Sequence, residues 1–465
     1  MRRSTLLLLA LLLPVPAHAD GAAARDAVVI DTDMGMDDLV TLALALQSPE
    51  VTVASVVAVD GVASAARSQE FLGRLLHHFN RGDVALWGAS RARRETPPFR
   101  TFADRAVDRA LGAGPGVKAR PFSAAAYRVG GKSVVLVLGP LTNLAAALRS
   151  QPTLKQAIAR VVVSGPPEAA SNWNARRDPA AWKAVLASGL PLTFVAPDHA
   201  GAKQAAALSG DSSIAAALVA RLLRDPRVKA HYLKSLLRFT DELVWLYLLE
   251  PRLFTPGRVA RPTSAQGIAA LLGRLLREGR QARRSVVYAS KPLPVGALRP
   301  DLARRRDRIV ANNGETEWRA QLLLNDLHQH LGAYSLVGVK MGLRAAELLN
   351  APPHVMEVFS ETAASPPVSC LNDGVIVATG STPGRSLFHQ GKGRAGSTRV
   401  RFRYNGRSVT LSLKTAYQHR IARALSTLRQ RFGLADHRYW SGVRGQGLEI
   451  WEKWHRRDLF DVEQR

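Results

Sequence analysis

Apolar residues fall along this chain in two rhythms. Short, nearly unbroken apolar runs occur at 27–31 (AVVID), 51–59, 84–87, 133–138, 160–164 and 191–195. Runs of that length, bounded by polar or glycine-containing loops, read as strands buried on both faces. Between them lie segments with helical spacing, at Leu39 to Leu46, Ser68 to Phe79 and Leu144 to Leu148. Strands alternating with helices predict an α/β fold, an open and mostly parallel sheet flanked by helices.

The alternation fades after Pro256. Residues 257–310 are rich in Arg, Pro and Gly and read as irregular structure closing the first domain. A helical pattern resumes near Glu315, followed by GVKMGLRAAELL, a loop around PPVSCLNDG and the stretch RVRFRYNGRSVTLSLK. Asn405-Gly406 between alternating strands is a strong hairpin signal, so a smaller α+β domain is expected here. At 465 residues the chain exceeds the roughly 250–300 residues of a single core. The expected division is 1–19, 20–315 and 316–465, the last carrying a basic C-terminal tail.

The first division is a leader. Arg2 and Arg3 precede the apolar run Leu6 to Leu13, and Ala17-His18-Ala19 offers small residues for cleavage after Ala19. That pattern predicts a secretory signal and, in a bacterial-type setting, a periplasmic protein. No later stretch reaches the roughly 18 apolar residues of a membrane span. The single cysteine rules out an intrachain disulfide and a cysteine-only zinc or iron–sulfur site. Formal net charge is +27, and 18 Lys+Arg face 6 Asp+Glu over residues 384–465. With arginine abundant throughout and export expected, this points to an anionic surface or polymer rather than a specific nucleic acid.

The candidate chemistry concentrates in Asp31-Thr32-Asp33-Met34-Gly35-Met36-Asp37-Asp38, four carboxylates at the end of the first strand and the start of the next helix. Ligands bind at that end of open parallel sheets. Asp31 and Asp33 are two apart and are expected to share a face, with Gly35 making the turn that returns Asp37 and Asp38 towards them. Clustered carboxylates repel unless protonated or neutralised. An all-oxygen set suits Ca²⁺, or less well Mg²⁺. A helix cap explains one aspartate, not four.

Haloacid-dehalogenase-type enzymes also place two aspartates after a first strand, but normally with Thr or Val soon after the second, which is absent here. The adjacent pair Asp37-Asp38 instead resembles the inosine/uridine-preferring nucleoside hydrolase family, whose hallmark is DTDxGxDD; every fixed position matches. GPLTN at 139–143, Asn172-Trp173-Asn174 with Asp178-Pro179, and Asp241 in FTDELVWLYLLEP are similar to later family blocks. The resemblance covers roughly residues 26–315. It implies hydrolysis of the N-glycosidic bond of ribonucleosides to base and ribose. Asp33, Asp38, Asp241 and the Leu138 carbonyl would ligate Ca²⁺, and Asp33 would take the proton from the attacking water. Asp37 would hold the ribose, and Asn174, aided by Asn172, its 5′ end. The family's histidine before the late aspartate is Thr240 here, its early ribose-contacting loop reads Val59-Asp60-Gly61, and its His-Gly block is not recognisable in TFADRAVDRALGAGPG. Atypical nucleosides or other N-ribosides are therefore expected among the substrates. The resemblance allows a homo-oligomer without fixing the number of copies.

His328-Gln329-His330-Leu331-Gly332 and PPVSCLNDGVIVATGSTPG resemble the E-type domain associated with formylmethanofuran dehydrogenase, over about 320–415. Two cysteines common in that family are replaced by Gly332 and Ser381. His330 and Cys370 are the candidate metal ligands here, since imidazole and thiolate suit zinc; the alternative is an interfacial histidine and a buried cysteine. Two rival functions stand beside the hydrolase: a non-catalytic nucleoside- or ribose-binding protein, and an envelope scaffold retaining the metal site.

Overall fold

The computed structural model describes residues 27–49, 51–90, 96–129, 131–196, 213–233, 241–280 and 298–465. The expected leader and Thr240 lie outside the described residues. The first strands are β1 (Ala27–Thr32), β2 (Thr52–Ala58), β3 (Ala85–Trp87), β4 (Ser133–Val137), β5 (Ile158–Ser164), β6 (Leu192–Val195) and β7 (Val259–Ala260). They form a parallel sheet in the order β3-β2-β1-β4-β5-β6-β7. Both faces are covered, as alternating residues show. Val28 and Ile30 pack with helices Met36–Leu46 and Ala65–His78, whereas Val29 packs with Val135, Val137 and helix Thr142–Ser150.

The order turns back between β1 and β4. Their following loops diverge from adjacent strand ends, leaving the crevice where such sheets bind ligands. The acidic segment follows β1 and Leu138 follows β4, with the Leu138 N–H donating to the Asp31 carbonyl at 2.8 Å.

The stretch expected to be irregular contains a helix, Ala265–Arg277, which buries Ile268, Leu271, Leu272, Leu275 and Leu276. Those positions follow the helical repeat and Ser264 caps them; the surrounding Arg, Pro and Gly obscured the signal.

The second sheet is mixed: β8 (Glu357–Ser360), β9 (Phe388–Gln390), β10 (Val400–Tyr404), β11 (Arg407–Leu413) and β12 (Phe460–Gln464), in the order β12-β11-β10-β8-β9. The expected hairpin turns at Asn405 and Gly406, with φ of 49° and 75°. The core of this domain centres on helix Ala333–Leu349 and also takes in Leu302 and Ile309, which the sequence placed in the first domain. Among the described residues, no helix is long and apolar enough to cross a membrane.

Candidate active site

β1 ends at Thr32, and beyond it the alternation of faces no longer governs the chain. Asp31 and Asp33 consequently hold different partners. Buried Asp31 accepts hydrogen bonds from the Tyr127 hydroxyl at 2.5 Å and Asn143 Nδ2 at 3.1 Å. Burial nonetheless pushes its carboxyl up to about 7. Asp33 turns to the loop after β2, where its Oδ2 accepts from the Val62 N–H at 2.9 Å. The left-handed turn residue is Met34, with φ of 55°, rather than Gly35, which is extended and caps the next helix. Gly35 leaves room for the carboxylates, because a Cβ there would stand 3.0 Å from both Asp37 Oδ1 and Asp38 Oδ2 and press on them.

Asp38 combines the cap and the ligand geometry. Its Oδ2 accepts from the Gly35 N–H at 2.9 Å, and its Oδ1 from the Thr32 hydroxyl. The positive end of helix Met36–Leu46 favours negative charge there. Asp241 opens helix Asp241–Leu249, is buried, and accepts from Ser164 at the end of β5. Ligand oxygens of Asp37, Asp38 and Asp241 lie within 4.8 Å of one another.

The ionisation of this group tests whether a cation fits. Burial first, and then Asp38, hold the Asp33 carboxyl well above the usual range; burial, Asp37 and Asp38 do the same to Asp241. Buried, mutually repelling oxygens that must otherwise share protons are the donor set a hard divalent cation satisfies. The Leu138 carbonyl faces Asn174, whose Nδ2 donates to it at 2.6 Å. The structure thus brings Asp37, Asp38 and Asp241 together, with Asp33 beside Asp38 and Asn174 on Leu138.

Asn172 does not join them as a substrate ligand. It is buried, donates to the Ser164 and Pro166 carbonyls at 3.0 and 2.8 Å, and caps helix Trp173–Arg177 by accepting from the Ala175 N–H. Its amide is committed to backbone groups.

Several supporting residues carry no local sequence signal. Arg100 donates to the Gly61 and Val62 carbonyls, both at 2.8 Å, and to Asp60 Oδ1 at 3.1 Å. Arg177 reaches the same Asp60 at 3.4 Å. These contacts brace the loop carrying Val62, and through it Asp33. Asp60 stands in the unusual Val59-Asp60-Gly61 loop, so a partner cation was inferable, but its location on helix Arg100–Leu111 was not.

In the second domain the expected pair is corrected. Cys370 is near His328 and Asp373, with the three donor atoms within 4.8 Å of one another. His330 instead directs Nδ1 to the His328 carbonyl at 3.0 Å, and its ring meets Trp440. The turn between the two histidines, with Gln329 at φ 57°, sends their rings to different neighbours.

Residues 327–437 match the family described as FmdE, Molybdenum formylmethanofuran dehydrogenase operon. A pyrimidine-specific ribonucleoside hydrolase RihA from Klebsiella pneumoniae is 32% identical over 190 residues, 37% of this chain and 60% of that protein. The relative of the same description from Escherichia coli is 29% identical over a stretch of the same length. The chain therefore spans about 60% of the length of the curated relatives it matches. A solved purine-preferring ribonucleoside hydrolase from Gardnerella vaginalis aligns with a TM-score of 0.43 at 18% identity, covering 54% of this chain and 99% of that one. Residues 28–306, more than half of the chain, match the model for inosine-uridine preferring nucleoside hydrolases, and the chain belongs to that family.

Proposed function

We propose that this protein hydrolyses the N-glycosidic bond of ribonucleosides or related N-ribosides, releasing base and ribose, with Ca²⁺ as its cofactor. The observation that carries the reading is the convergence of Asp37, Asp38 and Asp241 at the sheet crevice, beside Asp33. Asp33, Asp38, Asp241 and the Leu138 carbonyl would hold the ion. When bound, it supplies a Lewis acid and an anchor for the vicinal ribose hydroxyls.

The chain's own groups supply the remaining steps. Asp33, its Oδ2 held by the Val62 N–H and its side chain against Asp38, takes a proton from the attacking water. Asp37 accepts from the ribose hydroxyls. Asn174, which donates to the Leu138 carbonyl, orients the 5′ end. The carboxylates stabilise the positive charge that develops on the sugar as the base departs. Thr240 cannot protonate the leaving base near neutral pH, which favours substrates whose base leaves readily.

The experiment is free-ribose measurement across purine and pyrimidine nucleosides with added Ca²⁺, beside Asp33→Asn. Ribose release that vanishes in the variant supports hydrolysis. Retained calcium and nucleoside binding without release supports the binding-protein reading. We also propose export through the residue 1–19 leader, which a mature N-terminus at Asp20 would support. The arginine-rich C-terminal region supports attraction to an anionic surface.

A further inference from the structure

The second domain holds a cluster of donors that the proposed hydrolysis does not use. His328 ends helix Glu315–His328, whereas Cys370 and Asp373 sit just before and within the first turn of helix Leu371–Thr379. That second helix is fixed closely against helix Ala333–Leu349. A Cβ on Gly338 would stand 2.1 Å from the Leu371 carbonyl oxygen, and one on Gly374 would stand 2.1 Å from that of Ser335. Glycine at both crossing points lets the backbones touch and sets where Cys370 and Asp373 project.

His328 Nδ1 lies 3.3 Å from Asp373 Oδ2. Two ligands on a tetrahedral zinc, each about 2.0–2.1 Å from the ion, are separated by about that distance. The Cys370 sulfur completes a triangle in which all three donors fall within 4.8 Å. His328 Nε2 is buried without a hydrogen-bond partner among the described residues. It lies across the ring from Nδ1, the nitrogen that faces Asp373, so the ligand role of His328 rests on Nδ1. Trp440, 46% exposed, packs edge-on to His330, whose ring lies tilted against that of His328.

We propose that His328, Cys370 and Asp373 form a site for one zinc-class divalent ion, with three protein donors and an open fourth position. Nitrogen, sulfur and oxygen donors in this mixture select zinc over calcium. Burial lowers the His328 proton affinity, keeping its lone pair available, whereas burial raises the Cys370 thiol, so binding releases the thiol proton. The site is chemically distinct from the all-carboxylate group of the first domain.

Cobalt(II) chloride titration of the full chain, stripped of metal, tests this directly. Cys370 is the sole cysteine, so a near-ultraviolet thiolate-to-cobalt charge-transfer band reports on this site alone. The expected result is a band saturating at one cobalt per chain and displaced by zinc. It should be absent in Cys370→Ser and unchanged in Asp38→Asn. His328→Ala and Asp373→Asn should each weaken cobalt binding by more than about 10-fold, the loss that even an outer-shell partner can produce, whereas His330→Ala should not. Zinc should also slow alkylation of Cys370 in the unaltered chain, a readout that depends on no variant folding. Absence of the band, wild-type titration of His328→Ala, or alkylation indifferent to zinc would each overturn the proposal.

Discussion

A side chain at position 61 would collide with the proposed base. A Cβ on Gly61 would fall 1.9 Å from Asp33 Oδ2, so Gly61→Ala must displace either the loop or the carboxylate. Displacements on the order of 1 Å cost about 100-fold in rate. Gly61→Ala is therefore expected to lower kcat for ribose release about 100-fold while far-ultraviolet circular dichroism stays unchanged; kcat within a factor of two of the parent would contradict the assignment of Asp33. Asp241→Asn removes one charge from the candidate cation site while keeping its shape. Its calcium affinity, measured by isothermal titration, should fall by at least about 10-fold, one charge being worth on the order of 1.4 kcal/mol or more at a buried site.

At the scale of elements, the loop after β2 couples helix Arg100–Leu111 to Asp33. Arg100→Ala removes the donors to Gly61, Val62 and Asp60. Because Arg100 acts through the loop on Asp33, itself one of the proposed ion-holding residues, kcat should fall about 10-fold or more, with a smaller loss of calcium affinity than in Asp241→Asn. A calcium loss as large as that of Asp241→Asn would show that the site itself had collapsed.

The elements also show what was legible in advance. Six of the seven strands of the first sheet were readable from unbroken apolar runs, whereas β7, two residues long, fell in the stretch read as irregular; Asn405-Gly406 marked the hairpin of the second without help. The acidic segment singled out Asp33, Asp37 and Asp38 because a local motif carries them, whereas Asp241 was singled out by the family resemblance of FTDELVWLYLLEP, since opening a helix alone reads equally as a cap. Arg100 and Tyr127 were not readable: their partners lie 40 and 96 residues away in sequence, and only the fold creates those contacts. Asn172 was readable as polar but not as a cap, since the short helix it starts has too few residues to show a period. His328 and His330 are two apart, and only the left-handed backbone between them decides which faces Cys370.

Across the whole molecule, three asparagines in left-handed conformations join the two domains. Asn80 Nδ2 donates to the Leu349 carbonyl at 2.8 Å, and Asn350 Nδ2 to the Phe79 carbonyl at 2.5 Å. Asn405 Nδ2 adds a bond to the Asn80 carbonyl at 3.2 Å. Asn350→Ala loses a buried bond, leaves an acceptor unsatisfied and places alanine at positive φ, so destabilisation of about 2 kcal/mol is expected from denaturant unfolding. The same interface carries a pH response. His78 ends helix Ala65–His78, where burial, then Arg221 and the second domain's Arg407, lower it from 6.5 to about 4. The unfolded chain takes up this proton first, so stability is lost as pH falls from about 6.5 through about 4, by up to roughly 3 kcal/mol. His78→Gln should flatten that part of the pH–stability curve.

The proposed activity joins all three scales, since it needs Asp33 placed by its loop, Asp241 brought to the crevice by its helix, and a cation among the carboxylates. The most direct measurement is ribose release from inosine, uridine and a wider N-riboside panel by metal-stripped protein, before and after calcium is restored. Release that is absent in the stripped protein and returns with calcium is the predicted result. Equal release with and without calcium would contradict the cofactor assignment, and no release in either state would contradict the hydrolase itself.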